Sequence, residues 1–235
     1  MSVDLARRVT AEAVGTGFLV AVVVGSGIFA QRLSPDDVGL QLLENSIATG
    51  AGLVALILAF GSVSGAHFNP VVSLVDRLLG GLSTRETLVY VPAQVVGACL
   101  GAVVANLMFE LPAVNVSDHV RSSGGLWLAE VVATLGLVLV ILGVARSGRR
   151  SAVPYAVGGY IAAAYGFTSS TSFAKPAVTA APTLSDTFAG IAPSSVPAFV
   201  VAQLIGGLAA LALAVFLHPH APAPELVVPS DEARS

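Results

Sequence analysis

Six apolar stretches, separated by short clusters of charge, most constrain what this chain can fold into. Each is close to the ~20 residues that a helix needs to cross the hydrocarbon core of a bilayer. Only 11% of the 235 residues are charged and 55% are hydrophobic, whereas a soluble enzyme of this length would need a polar exterior. The sequence therefore predicts a polytopic membrane protein, with spans at residues 12–30, 39–61, 87–109, 127–145, 153–167 and 196–217.

The placement of arginines predicts the orientation of these spans. If the N-terminus is cytoplasmic, eight arginines lie on the cytoplasmic side and two lie outside, which satisfies the positive-inside rule. We therefore expect a multi-pass protein of the cell membrane with both termini cytoplasmic. The net charge of −3 and the lack of a basic patch with interleaved aromatic residues give no indication of nucleic-acid binding. The inner arginines are Arg7, Arg8, Arg77, Arg85, Arg146, Arg149, Arg150 and Arg234, and the outer ones are Arg32 and Arg121.

The chain also repeats itself. AEAVGTGFLVAVVV in the first half resembles AEVVATLGLVLVIL in the second, and PAQVVGACLGA resembles VAQLIGGLAAL. Between these landmarks, SGAHFNPVVS (64–73) aligns without a gap with STSFAKPAVT (170–179). The alignment pairs Glu12 with Glu130, Gln94 with Gln203, Asn69 with Lys175 and Pro70 with Pro176.

Three spans in each half place the start of the second half on the opposite side of the membrane. The repeat is therefore predicted to be inverted, with a pseudo-two-fold axis in the membrane plane. We assign residues 1–115 to the first repeat and 116–218 to the second. The remaining residues, 219–235, are rich in Pro, Ala and acidic side chains, and we expect a disordered cytoplasmic tail.

Each repeat contains a segment too short to span, predicted as a half-helix from 69 to 79 and from 176 to about 188. Proline at the first helical position, preceded by an N-cap residue, starts a helix well because its missing N–H would have been unpaired. Non-helical backbone at membrane depth must be buried in protein or line a water-filled cavity. We therefore expect the two half-helices to meet with their N-termini near the midplane, directing two positive dipole ends into one lumen.

From Ala11 to Leu217, these features together resemble the aquaporin and aquaglyceroporin family, also called the major intrinsic proteins. The features are the duplicated three-span plan, the paired glutamates and glutamines, and the SGAHFNP motif. The resemblance implies an all-α membrane fold of six transmembrane helices plus two re-entrant half-helices. It also implies a homotetramer in membrane lipid whose protomers each pass water or small neutral solutes passively, with no enzymatic activity and no cofactor.

The resemblance assigns roles to the paired motifs. In this family the asparagines of two Asn-Pro-Ala motifs donate hydrogen bonds to a passing oxygen, and the helix dipoles repel protons and cations. Asn69 matches the first asparagine, and Val71 replaces the usual alanine. The pore-motif residues are Asn69, Pro70, Val71, Lys175, Pro176 and Ala177.

Five further residues are expected to support the pore loops: Glu12, His67, Gln94, Glu130 and Gln203. By resemblance, the two glutamates are buried acceptors for loop N–H groups, although a carboxyl group within a membrane is also a functional candidate. His67 is expected to line or brace the cytoplasmic vestibule, and the sequence shows no partners for a metal site there.

The selectivity filter departs from the family pattern. The second motif is usually followed by arginine, whereas this chain has Val178. Counting without gaps places the other filter positions at Thr49, Ala163 and Ser172. Because none of the four is large or basic, we expect a filter wider and less polar than that of a strict water channel. It would favour glycerol-like polyols or neutral metalloid acids such as arsenous acid.

The sequence of the second motif resembles that of a bacterial aquaglyceroporin group with Asn-Pro-Ala-Val in place of Asn-Pro-Ala-Arg. Some members of that group are associated with arsenic resistance. In that pattern an arginine usually stands where this chain has Pro182. Pro182 is expected to disturb the half-helix, because it removes the N–H that would bond the carbonyl of Val178, at ~3 kcal/mol in an unadapted helix.

Lys175 leaves three interpretations open. Its stem could carry the ammonium group toward the outer vestibule and leave the pore free. The amine could instead point into the lumen, where desolvation and the helix dipoles favour its neutral form. Lys175 and Pro182 could also mark a pore that is closed or specialised. The alternative to a neutral-solute channel is therefore a poorly conducting, gated or anion-responsive membrane protein of the same fold.

Overall fold

The structure is a computed structural model that describes residues 4–218. These residues form eight α-helices and three short 3-10 segments, which confirms the all-α fold class. The proposed tail, 219–235, lies outside the described residues. The helices are α1 (Leu5–Leu33), α2 (Val38–Ser64), α3 (Pro70–Leu78), α4 (Thr84–Met108), α5 (Gly124–Arg146), α6 (Val153–Phe167), α7 (Pro176–Ala180) and α8 (Val196–Leu217).

Five of these helical segments are long and apolar enough to cross a membrane: α1, α2, α4, α5 and the segment Pro193–Leu217, which contains α8. Helix α6 covers the remaining expected span, residues 153–167, with 15 residues, or about 22 Å at 1.5 Å per residue. The 3-10 segment Arg150–Ala152 precedes it directly. All six expected spans are therefore helical.

Helix α1 begins seven residues before the apolar stretch that predicted it. Arg8 lies in this extension and is 4% exposed. Its guanidinium donates to a carboxylate oxygen of Glu86 and, over 3.0 Å, to the hydroxyl of Tyr90, both on α4. The helix extends past its apolar part because these two partners satisfy the buried cation.

The two halves pack in the same way. Helix α1 contacts α2 and α4, helix α5 contacts α6 and α8, and the contact between α2 and α6 joins the halves. A Cβ atom at Gly97 of α4 would lie 2.0 Å from the carbonyl oxygen of Ala13, and one at Gly206 of α8 would lie 2.4 Å from that of Val131. Glycine at these aligned positions therefore lets the first and third spans of each half approach closely.

The two half-helices differ in length. Helix α3 covers Pro70–Leu78, close to the predicted range, whereas α7 covers only Pro176–Ala180 and continues as the 3-10 segment Ala181–Leu184. The prediction of a helix to about residue 188 was wrong. The α-helical geometry is lost next to Pro182, which has no N–H for the carbonyl of Val178. Both half-helices contact α4 and α8, and they also contact each other.

Candidate functional site

The loop before α3 is held by the carboxylate of Glu12, which is fully buried. One oxygen accepts from the Ser64 hydroxyl at 2.7 Å and from the N–H of His67 at 3.0 Å. The other accepts from the N–H of Phe68 at 2.8 Å and from the Gln94 amide at 2.7 Å. Four donors therefore converge on one carboxylate, which compensates for its removal from water.

Glu130 holds the loop before α7 in the same way. It accepts from the N–H of Phe173 at 3.0 Å, from that of Ala174 at 2.9 Å, and from the Gln203 amide at 2.6 Å. The Gln203 amide also donates to the Thr179 hydroxyl at 2.7 Å. Each donor to Glu130 aligns with a donor to Glu12, and Ser170, which aligns with Ser64, also hydrogen-bonds Glu130. The two loops are therefore repeats in geometry as well as in sequence.

The backbone of the two loops is strained at matching positions. Ala66 and Phe68 have φ values of 49° and 47°, and the aligned residues Ser172 and Ala174 have 54° and 51°. A residue other than glycine at positive φ costs of order 1–3 kcal/mol and persists only where its surroundings hold it. The charge-assisted hydrogen bonds of the two glutamates offset that cost.

The two loops meet at the start of the half-helices. Asn69 is fully buried, and its side-chain oxygen caps α3 by accepting from the N–H of Val71 at 2.9 Å. Its amide group donates to the carbonyl oxygen of Ala174 at 3.0 Å, across the junction. Lys175 is at the N-cap position of α7, which has no side-chain cap, because an ammonium group has no acceptor.

Two cavities lie on either side of this junction. The first, here called the Tyr165 cavity, has a volume of about 20 Å³, and its lining includes Thr49, Tyr165, Ser172, Lys175 and Val178. The second, the His67 cavity, has a volume of about 60 Å³, and its lining includes Leu53, Val72, His67, Asn69 and Lys175. Each holds only a few water-sized molecules, since one water needs roughly 10–15 Å³ by this measure.

Lys175 is the only residue of 4–218 that belongs to both linings. Its side chain is 5% exposed, so it lies at the boundary between the cavities and not in an outer vestibule. Of the three interpretations of this lysine, the structure therefore disfavours the one in which the stem swings away.

The assignment of Ala163 to the filter was wrong. Ala163 is exposed on the outer face of α6 and does not line either cavity. Tyr165, two residues later, lines the Tyr165 cavity, and its hydroxyl lies 3.2 Å from that of Thr49. Two residues correspond to roughly 200° around a helix, so a small error in register moved the prediction to the opposite face. The lining of this cavity therefore includes one large aromatic residue, whereas none of the four expected filter residues is large.

Sequence reasoning missed Arg121, which lies in the loop between α4 and α5. Its guanidinium donates to the carbonyl oxygens of Gly190 and Phe188, at 2.9 and 3.2 Å, and its Cζ lies 5.3 Å from the ring centroid of Phe173. Phe173 and Phe188 both line the Tyr165 cavity. Arg121 thus brings a cation to the wall of this cavity from another part of the chain, although Val178 supplies none. The sequence carried no local signal for this contact.

His67 lines its cavity and also faces a buried acidic side chain. Its Nδ1 lies 3.0 Å from the Ser73 hydroxyl, and its Nε2 lies 3.6 Å from an oxygen of Asp76, too far for a hydrogen bond. Both carboxylate oxygens of Asp76 are buried without a hydrogen-bond partner. Asp76 belongs to α3, which does not span, and burial raises the pKa of its carboxyl group to about 7. The sequence did not single out Asp76.

One group of possible metal ligands occurs away from the cavities, although no metal site was expected. Atoms of Asp118, His119 and Asp186 lie within 4.8 Å of one another in two loops. Asp118 and His119 are exposed, and an oxygen of Asp186 already accepts from the Ser117 hydroxyl at 3.2 Å. The arrangement is that of a hydrogen-bonded loop junction.

Comparisons with known proteins agree with this geometry. Residues 1–172 match the family described as Major intrinsic protein. The chain is 55% identical over 210 residues to Aquaglyceroporin AqpS of Rhizobium meliloti (strain 1021), covering 89% of each protein. It is 29% identical over 238 residues to Probable aquaporin AqpM of Archaeoglobus fulgidus, covering 89% of this chain and 96% of that protein.

A solved structure, the X-ray structure of the aquaglyceroporin from Plasmodium falciparum, shares the fold. The TM-score is 0.69 at 20% sequence identity, with 92% of this chain and 98% of the other covered. The chain therefore belongs to the major intrinsic protein family of multi-pass membrane channels and is not an enzyme.

Proposed function

We propose that this protein is a passive channel for small uncharged solutes, namely water and glycerol-like polyols. The observation that carries the proposal is the pair of cavities that meet where α3 and α7 begin, in two loops fixed by Glu12 and Glu130. Buried loops whose hydrogen bonds are satisfied by carboxylates form a rigid wall, as a selective pore requires. The name of AqpS, an aquaglyceroporin, supports the same solute class.

Under this proposal, some residues of the cavity walls contact the solute and others hold the loops in place. Asn69 can offer a donor to a passing oxygen, because an amide group carries two N–H bonds and only one is used by Ala174. Thr49, Tyr165 and Ser172 would provide hydroxyl groups in the Tyr165 cavity. Glu12, Glu130, Gln94 and Gln203 would hold the loops without touching the solute. Tyr165 and the small cavity favour a narrow pore, so arsenous acid is retained as a candidate solute only at the limit of size.

The proposal includes the surroundings of the channel. We infer that the protein forms a homotetramer in the cell membrane with both termini cytoplasmic, which places the His67 cavity on the cytoplasmic side and the Tyr165 cavity on the outer side. The positive-inside distribution of arginine supports this orientation.

Stopped-flow light scattering on proteoliposomes tests the proposed solutes. Vesicles with the full chain are subjected to osmotic gradients of sucrose, glycerol and arsenous acid, with empty vesicles and the Arg85→Gln variant as controls. Arg85 is exposed and does not line either cavity, so its replacement should leave flux unchanged. Rates of water and glycerol flux equal to those of empty vesicles would contradict the proposal.

A second candidate function is a pore that conducts poorly. The observation that favours it is the position of Lys175, whose side chain lies between the two cavities. In that case the wild-type protein shows little flux and the Lys175→Asn variant shows clear flux. Equal, high rates for both proteins would contradict this candidate.

A further inference from the structure

The floor of the Tyr165 cavity contains two polar side chains that form no hydrogen bond with residues 4–218. Ser172 is 3% exposed, and its hydroxyl oxygen is buried without a hydrogen bond. Lys175 is 5% exposed, and its ammonium group forms no hydrogen bond or ion pair with any residue of 4–218. A buried hydroxyl is almost always hydrogen-bonded, so the unsatisfied Ser172 hydroxyl, in the same cavity lining as the unpaired ammonium group of Lys175, points to a ligand there.

The lining of the cavity indicates the charge of that ligand. Thr49 and Tyr165 share one hydrogen bond between two hydroxyl groups, so one O–H remains available. None of the lining residues is acidic. Glu130 is the carboxylate that acts on Lys175, but its oxygens already accept from Phe173, Ala174 and Gln203. The lining thus offers hydroxyl donors and one cation and contains no carboxylate, since Glu130 lies outside it.

Two further features make the cavity more favourable to negative charge. Helix α3 begins at the junction and directs its positive dipole end toward it. Arg121 lies against the wall formed by Phe173. A full and a partial positive charge near the cavity both attract an anion.

The cavity volume limits the size of the ligand. A volume of about 20 Å³ is space for one or two water molecules. A halide ion fits this space, whereas a carboxylate that carries a carbon chain is too large for it.

We propose that Lys175 Nζ and Ser172 Oγ form a binding site for a small monovalent anion of halide size at the floor of the Tyr165 cavity. A bound anion occupies the boundary between the two cavities and therefore competes with neutral solutes. The competition rests on the proposed channel function, whereas the binding itself does not.

Thermal unfolding of the detergent-purified full chain tests the binding. Sodium bromide is titrated against sodium gluconate at constant ionic strength, because gluconate is too large for the cavity. A ligand that binds only the folded state raises the unfolding midpoint in a saturable way. We expect such a rise for the wild type and for Arg85→Gln, which loses the same charge elsewhere. Ser172→Ala should bind bromide about tenfold more weakly, because one hydrogen bond to the anion is lost.

The Lys175→Met variant keeps the length of the side chain and removes its charge, so its midpoint should not respond to bromide. If that variant does not fold, Lys175→Gln replaces it in the same titration. An equal bromide response in the wild type and the lysine variants, or none in the wild type, overturns the site.

Water flux in proteoliposomes separates this inference from the channel proposal. Bromide should lower the wild-type rate relative to gluconate and leave the Lys175→Met rate unchanged. Flux that is present but insensitive to bromide, with no bromide response in unfolding, overturns the anion site and leaves the channel. A bromide response in unfolding without any flux supports the site and overturns the channel.

Discussion

The side chain of Val71 fills the space that a side chain at position 207 would need. A Cβ atom at Gly207 would lie 2.2 Å from Cγ1 of Val71. In the other half of the repeat, the aligned positions hold Ala98 and Ala177. A larger residue on the first half-helix is thus matched by a smaller one on α8, which explains how valine replaces the usual alanine of the motif.

This complementarity predicts the effect of Gly207→Ala. The added methyl group must displace Val71, so we expect a loss of about 1–3 kcal/mol in the free energy of unfolding, seen as a lower thermal midpoint in detergent. The double variant Gly207→Ala with Val71→Ala should recover most of it. Gly143→Ala is the control, because no atom lies within 4 Å of its added Cβ. Equal midpoints for Gly207→Ala and this control would contradict the close contact.

The two buried glutamates predict similar costs of neutralisation. Glutamine at position 12 or 130 replaces one acceptor oxygen with a donor group, which faces the donors already there. Hydrogen bonds to charged groups contribute about 1.5–3 kcal/mol each. Because each carboxylate has four donors, a serine hydroxyl included, Glu12→Gln and Glu130→Gln should lower the midpoint of thermal unfolding by similar amounts. A large difference between the two variants would mean that these bonds do not govern the stability of the loops.

Replacing Lys175 with asparagine should restore the missing helix cap. Asn69 shows the geometry, with its side-chain oxygen 2.9 Å from the N–H of Val71. A new N-cap typically contributes about 1 kcal/mol, and the replacement also removes a buried cation without a hydrogen bond. We expect a higher unfolding midpoint for Lys175→Asn than for Lys175→Ala, which removes the cation alone. If the two variants have the same midpoint, the cap has not formed.

Asp76 predicts a dependence of stability on pH. Burial raises the pKa of its carboxyl group from an ordinary value of 3.8 to about 7 in the folded state. Between these two values the folded protein binds more protons than the unfolded one, so stability falls as pH rises from about 4 to about 7. Unfolding midpoints across this range should show the decline in the wild type and a smaller one in Asp76→Asn.

The control for this prediction is Asp36→Asn, at an exposed position in the loop before α2. Its midpoints should follow those of the wild type. At pH 8 the Asp76→Asn variant should be the more stable protein, since an amide has no charge to bury. A decline that persists unchanged in Asp76→Asn would assign the pH dependence to another group.

The sequence by itself determined the parts of this protein that depend on local physics. Stretches of about 20 apolar residues and the pairing of Glu12 with Glu130 located the helical spans and the repeat, because hydropathy and periodicity are properties of the chain. Proline at the first helical position located the start of both half-helices, and Pro182 predicted a disturbance of the second, although not that α7 ends at Ala180.

Only the tertiary structure decided which side chains meet. The rotation of α6 brings Tyr165 and not Ala163 to the cavity, and this rotation depends on packing against α2 and α5. Arg121 reaches the wall from a loop distant in sequence, and Lys175 lies between the cavities because its neighbours leave space there. These outcomes depend on contacts between remote segments, which local sequence preferences do not specify.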